Sequence, residues 1–266
     1  MTKLLFFDID GTLFEEKYHS LPPTVKPSLI KARENDCRIF INTGRTLCNI
    51  DSHLKELPID GWSFGCGTRV IIEDETIRAL EYSLEDSIKL LEIYRSLKIP
   101  TVYECDTALY FDPKTSDHPM IPAFRIYAEG MKIARDIKIG DEEFRAVKMF
   151  CFIYSEKDLN NLLSTLKEAG FPFYAIDRGN NGFEMVPEGC SKALGIDIIR
   201  ERYGASLEDC YVFGDSRNDL SMLTHVPNSI CMGHATDDVK SVCRYVTDLP
   251  ENDGIKKALI TLDLID

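Results

Sequence analysis

Asp8 and Asp10 stand two residues apart, directly after the apolar run Leu4-Leu5-Phe6-Phe7 and directly before Gly11-Thr12. If that run is a buried strand, residues i and i+2 point the same way, so both carboxylates address one place past its end. A lone Asp-Gly is ordinarily a turn. Two further polar clusters, however, follow apolar runs in the same manner. Asn42-Thr43-Gly44-Arg45 follows Arg38 to Ile41, and Gly214-Asp215-Ser216-Arg217-Asn218-Asp219 follows Tyr211-Val212-Phe213. In an open α/β sheet, ligands bind outside the carboxyl ends of the strands, so the three clusters would share one edge. Four aspartates would then meet there, with Thr43, Asn218 and a lysine. One such loop would merely cap the next helix, but three converging loops make a site.

So many carboxylates repel one another and are costly to bury uncompensated. A hard divalent cation is the simplest remedy. Oxygen-only ligands suit Mg²⁺, which takes one or two carboxylates and completes its octahedron with water and phosphate oxygens. No histidine or cysteine pair lies beside the clusters, which argues against zinc.

The alternation needed to position these clusters is visible in the chain. Thr24 suits a helix N-cap, and apolar spacing predicts a helix over 25–35. A strand over 38–43 breaks at Gly44, a helical segment is expected over 47–57, and short strands over 62–66 and 69–73. That order is the signature of a parallel α/β sheet. The pattern changes at about residue 83. An amphipathic helix over 83–98 opens on Ser83-Leu84-Glu85-Asp86, a helix-start box. Strands at 101–105 and 108–111, a helix at 123–133, a strand at 147–154, a helix at 157–169 and strands at 171–176 and 182–186 follow. Such adjacent strands suggest a separate α+β layer. The α/β pattern resumes with a helix over 192–203, the strand ending at Phe213, a short helix over 220–223, strands at 229–232 and 244–246, and a helix from 253 or 254 to 262. The expected class is α/β, with a core domain over 1–82 and 182–266 interrupted by an α+β domain over 83–181.

At 266 residues, 44% hydrophobic and 28% charged, the chain has the composition of a soluble globular protein with real cores. A net charge of −13 argues against a nucleic-acid surface, and an anionic substrate would need local cations or a metal. No apolar run is long enough for a membrane span, and Met1-Thr2-Lys3 leaves no room for a signal peptide before the first strand. Nine cysteines form no CxxC pair and read as reduced thiols of a cytoplasmic protein.

These residues together resemble the haloacid dehalogenase-like hydrolases, specifically the Cof-type subclass IIB phosphatases. The first motif, DxDGT, is Asp8-Ile9-Asp10-Gly11-Thr12, and the second, an apolar strand ending in TGR, is Ile41 to Arg45. The third, a lysine after a Pro-Glu-Gly turn, is Pro187 to Lys192, and the fourth, GDSxND, is Gly214 to Asp219. Met232-Gly233-His234-Ala235 and Asp253-Gly254 fit the group's tail. The resemblance implies a Rossmann-like core with an inserted cap, and a Mg²⁺-dependent phosphatase of small phosphorylated metabolites, with sugar phosphates foremost. It implies Asp8 as nucleophile and Asp10 as general acid and base. Asp8, Asp10 (through its backbone carbonyl) and Asp215 would serve as metal ligands, with Asp219 and Asn218 orienting that shell. Thr43, Gly44, Lys192 and Asn218 would serve the phosphate. It specifies neither the metabolite nor an oligomeric state.

Ala193, His234 and Val226-Pro227-Asn228 depart from the group's pattern; none touches a catalytic position, and they bear on loop shape and substrate fit. Arg45 either touches the site or pairs with a carboxylate at the surface. Tyr103, Tyr110, Phe111 and Tyr127 either line a sugar-binding cap face or fill a core. Arg125 and Arg178 are candidate cap cations, and His19, His53, His118 and His225 lack ligand spacing. Two other functions share the motifs: a phosphomannomutase-like phosphosugar mutase, and a metabolite-binding regulator that has lost catalysis.

Overall fold

Leu4 to Phe7 are wholly buried because their strand, β1 (Lys3–Phe7), has parallel neighbours on both sides. The computed structural model of the chain describes residues 2–15, 20–115, 118–138 and 140–266. After β1 come β2 (Cys37–Asn42), β3 (Gly61–Phe64), β4 (Arg69–Ile72) and β5 (Glu75–Ala79). Next are β6 (Thr101–Cys105), β7 (Leu109–Phe111), β8 (Ala134–Asp136), β9 (Ala146–Phe152), β10 (Phe173–Asp177) and β11 (Gly182–Pro187). The last strands are β12 (Cys210–Gly214), β13 (Asn228–Cys231) and β14 (Tyr245–Val246). The α-helices are α1 (Val25–Glu34), α2 (Leu84–Ser96), α3 (Ile121–Gly130), α4 (Glu156–Glu168), α5 (Lys192–Tyr203), α6 (Leu220–His225), α7 (Asp237–Lys240) and α8 (Gly254–Thr261).

The chain divides into two compact units. The first comprises Met1–Gly44, Ser52–Ala79 and Ser191–Asp266, and the second comprises Arg45–Asp51 and Leu80–Cys190. In the first, the strand order is β14-β13-β12-β1-β2-β3-β4-β5. Pairing is parallel from β14 to β3 and antiparallel across β4 and β5. Phe7 sits opposite both Phe213 and Ile41. The residues that follow those three therefore leave the sheet side by side, which is what brings the polar clusters to one edge.

The second unit has its own sheet, ordered β10-β11-β9-β6-β7-β8 and antiparallel except between β7 and β8. α2 and α4 cover one face, where Tyr94, Leu162 and Leu166 pack on Tyr103, Met149 and Met185. α3 covers part of the other through Ile121 and Ala128, against Val102, Phe111 and Phe152. Ser83 and Ser155 cap α2 and α4 by accepting from Asp86 N and Asp158 N.

Several stretches differ from the pattern reading. In place of a helix over 47–57 there is a single 3₁₀ turn at Ser52–Glu56. Asn49 and Asp51 instead bind Arg45 through backbone carbonyl and carboxylate, the local bonding that competes with a helix. The strand at Gly182–Pro187, expected in the core domain, pairs with β9 and β10 in the second sheet. β5 and β8 are polar edge strands with no apolar alternation to reveal them. Among the described residues, no helix is long and apolar enough to cross a membrane.

Candidate active site

Asp8 follows β1 with its backbone N–H still donating to Phe213 O at 3.0 Å, so its side chain begins where the sheet ends. The residue is 3% exposed. Its Oδ1 accepts from Lys192 Nζ at 2.6 Å, and the same ammonium donates to Asp219 Oδ1 at 2.5 Å. Lys192 is wholly buried at the first position of α5. A helix N-terminus disfavours a cation, so the two carboxylates are what hold it there. Burial works against the Lys192 ammonium, but Asp219 and Asp8 outweigh it and raise its pKa. Ser191 caps α5 by accepting from Leu194 N at 3.0 Å, and Asn42 Nδ2 donates to Lys192 O at 2.9 Å. Backbone anchors thus fix the lysine from both β2 and its own helix.

Asp219 lies in a short 3₁₀ turn after β12. Its Oδ2 accepts from the N–H groups of Asp215 and Ser216 at 2.9 and 3.0 Å, which folds the loop onto itself. A Cβ on Gly214 would lie 2.7 Å from the Asp219 carboxyl carbon, so only glycine lets that carboxylate reach in. Asp215 turns toward β1, where Thr12 Oγ1 donates to its Oδ1 at 2.9 Å and His234 Nε2 stands 3.5 Å from its Oδ2. Gly11 has φ +77°, and a Cβ there would meet Asp215 Oδ2 at 2.5 Å. Asn218 is buried and accepts from Ser216 Oγ at 2.7 Å.

Thr43 is buried at the end of β2, donating its N–H to Ser63 O and accepting from Cys66 N. Gly44 follows it as the last residue of that stretch of the first unit.

Burial pushes the Asp8 carboxyl well up; Lys192 opposes this, while Asp219, Asp215 and Asp10 add to it. Burial also raises Asp215, against its bonds from His234 and Thr12. Lys192 thus bridges Asp8 and Asp219, with Asp215 and Asp10 adding charge beside Asp8. Carboxylate oxygens of Asp8, Asp215 and Asp219 lie within 4.8 Å of one another, a group that excludes Asp10. An oxygen-only donor set with excess negative charge fits a hard divalent cation.

The other sequence candidates have partners of their own. Arg45 belongs to the second unit, pairing with Asp51 at 2.7 Å, and its side chain is only 10% exposed. Arg125 pairs with Asp136 and Glu129, and Arg178 lies 4.0 Å from Glu184. Tyr103 and Tyr110 fill the core between sheet and helices, and Phe111 is buried on the face under α3. Tyr127 is half-exposed and donates to Asn49 Oδ1. His118 stacks on Phe152, His225 pairs with Asp197, and His53 is exposed; His19 lies outside the described residues.

Two features escaped the sequence reading. His234 entered only as a departure from pattern, though it stands against Asp215. A buried cluster in the second unit, Lys148 between Glu104 and Glu184 at 2.8 Å each, was signalled by single charged residues inside otherwise apolar strands.

The chain belongs to the haloacid dehalogenase-like hydrolases, whose family model matches residues 5–259. YkrA of Bacillus subtilis strain 168 is 27% identical over 266 residues, covering 99% of both chains. The HMP-PP phosphatase of Escherichia coli K12 is 27% identical over 257 residues, covering 91% of this chain and 88% of its own. Among solved structures, the subclass IIB sugar phosphatase BT4131 superposes with a TM-score of 0.82 at 27% identity, covering 99% of this chain and all of the other.

Proposed function

We propose that the protein is a Mg²⁺-dependent phosphatase of small phosphomonoesters, sugar phosphates in particular, working through an aspartyl-phosphate on Asp8. The observation that carries this reading is the bridging of Asp8 and Asp219 by the buried Lys192 ammonium within a crowd of four aspartates. It is supported by membership of the family and by relatives that are named as phosphatases.

Asp8 is the nucleophile. Lys192 fixes one of its oxygens and presents positive charge to the incoming phosphoryl group, which a carboxylate alone would repel. Asp219 does not touch the substrate. It anchors Lys192 with one oxygen and the Asp215–Ser216 backbone with the other. Asp10 protonates the leaving alkoxide and then takes a proton from the attacking water. Asp8, the Asp10 carbonyl and Asp215 would hold Mg²⁺, which when bound would neutralise charge on the phosphoryl oxygens. The Thr43 hydroxyl, the Gly44 N–H and Asn218 hold those oxygens. The covalent intermediate divides one difficult displacement into two easier ones.

Hydrolysis of p-nitrophenyl phosphate tests the reading. The protein should release phosphate, and either EDTA or Asp8→Asn should abolish release. Undiminished turnover by the variant would overturn the reading.

A further inference from the structure

His234 touches the acidic cluster from outside. Its Nε2 lies 3.5 Å from Asp215 Oδ2, while Thr12 Oγ1 donates to the other oxygen at 2.9 Å. The grouped oxygens of Asp8, Asp215 and Asp219 do not include the imidazole, which stands against Asp215. The two residues before His234 are held by backbone bonds: Met232 N donates to Gly214 O, the residue before Asp215, and Gly233 N donates to Asp248 O.

Another histidine serves as an internal control. His225 pairs with Asp197 at 3.0 Å, but there both side chains are about 30% exposed and Asp197 also binds Arg200, the pattern of an ordinary surface ion pair. Asp215 is only 11% exposed, and both its oxygens are engaged.

We infer that His234 is a positioning residue: donating from Nε2 to Oδ2 opposite Thr12, it fixes the orientation in which Asp215 meets a divalent cation. This rests on the metal-dependent reading above. A carboxylate held at both oxygens enters a metal shell with its rotation already restricted, and partners of this kind govern metal affinity as ligands do. The second observation in its favour is steric. Gly11 has no side chain where a Cβ would meet Oδ2, which leaves that oxygen accessible to the imidazole.

Mn²⁺ binding by titration calorimetry on the full chain tests this without reference to turnover. His234→Ala should weaken Mn²⁺ binding about tenfold or more. His234→Gln, whose amide reaches the same oxygen, should recover most of that loss, and His225→Ala should leave the affinity unchanged. Equal affinity in His234→Ala and the wild type would overturn the inference, as would failure of Gln to restore it. If the wild type binds Mn²⁺ and Asp215→Asn does not, while His234→Ala is unaffected, the inference alone fails. If the wild type binds no Mn²⁺, the metal reading fails with it.

Discussion

Each unit of the molecule buries a lysine between two carboxylates, and the two clusters differ in charge and in backbone. In the second unit, Glu104, Lys148 and Glu184 sit within adjacent strands β6, β9 and β11, with Glu104 directly opposite Lys148 in register. Two carboxylates face one ammonium, and Arg178 lies 4.0 Å from Glu184, so the group is nearly balanced. Burial raises the Glu104 carboxyl, and Lys148 opposes it. In the first unit, Asp8 and Asp219 lie past strand ends and Lys192 opens a helix, with Asp215 and Asp10 adding further negative charge beside Asp8. A buried lysine flanked by two acids is thus no mark of catalysis by itself. What distinguishes the first cluster is a larger number of carboxylates, gathered past the strand ends rather than within paired strands.

The strongest way to break the first cluster is Asp8→Asn. Turnover should fall at least about a thousandfold, as for other nucleophile deletions. Thermal stability should hold or rise, because one of four crowded carboxylates is neutralised. A variant that melts far lower would show that Asp8 is needed to hold the site together rather than to react. Asp10→Asn should lose about 10²–10⁴-fold in kcat while still binding Mg²⁺, the loss expected for a general acid and base. Full activity would mean that its role is misassigned.

The lysines sharpen the contrast. Lys192→Met and Lys148→Met should each cost about 3–5 kcal/mol, the usual penalty for leaving buried charges unpaired. Denaturant unfolding with and without Mg²⁺ separates them. The cation should recover part of the loss in Lys192→Met, where it neutralises the orphaned aspartates, and none in Lys148→Met. Equal recovery in both would dissolve the distinction.

The smallest effect concerns an ordinary ion pair in the second unit. Arg95 donates twice to Asp112 at 2.8 Å. Burial tends to raise the Asp112 carboxyl, but bonds from Arg95, Lys114 N and Thr115 prevail and hold it low. A carboxyl with a lowered folded pKa stabilises above its unfolded pKa, and that stability is lost as pH falls through the folded value. Asp112→Asn should therefore cost about 1–3 kcal/mol at pH 7, and the gap to the wild type should close below about pH 4. A gap that persists in acid would assign the effect to packing.

How much of this was legible in the sequence follows from where each residue sits. Apolar runs in a parallel sheet announce themselves, so β1, β2 and β12 were readable, and with them the three polar clusters. The bond from Lys192 to Asp8 spans 184 positions, and only motif order connected those residues. β5 and β8 went unread because edge strands need no apolar alternation. The expected helix over 47–57 does not form as such: Asn49 O and Asp51 accept from Arg45 there, contacts that sequence spacing does not reveal. His234 was visible as a residue out of pattern, but its partner depended on a turn that only the β12–β13 pairing brings alongside Asp215.

In the proposed reaction, Asp8 carries the phosphoryl group. Acid quench during steady-state turnover of p-nitrophenyl phosphate, borohydride reduction and peptide mass spectrometry test it most directly. An acyl phosphate on Asp8 should appear as homoserine at position 8, only when substrate is present and only in protein with Lys192 intact. Turnover with no reduced aspartate at all, or with the modification at Asp10 or Asp215 instead, would contradict it.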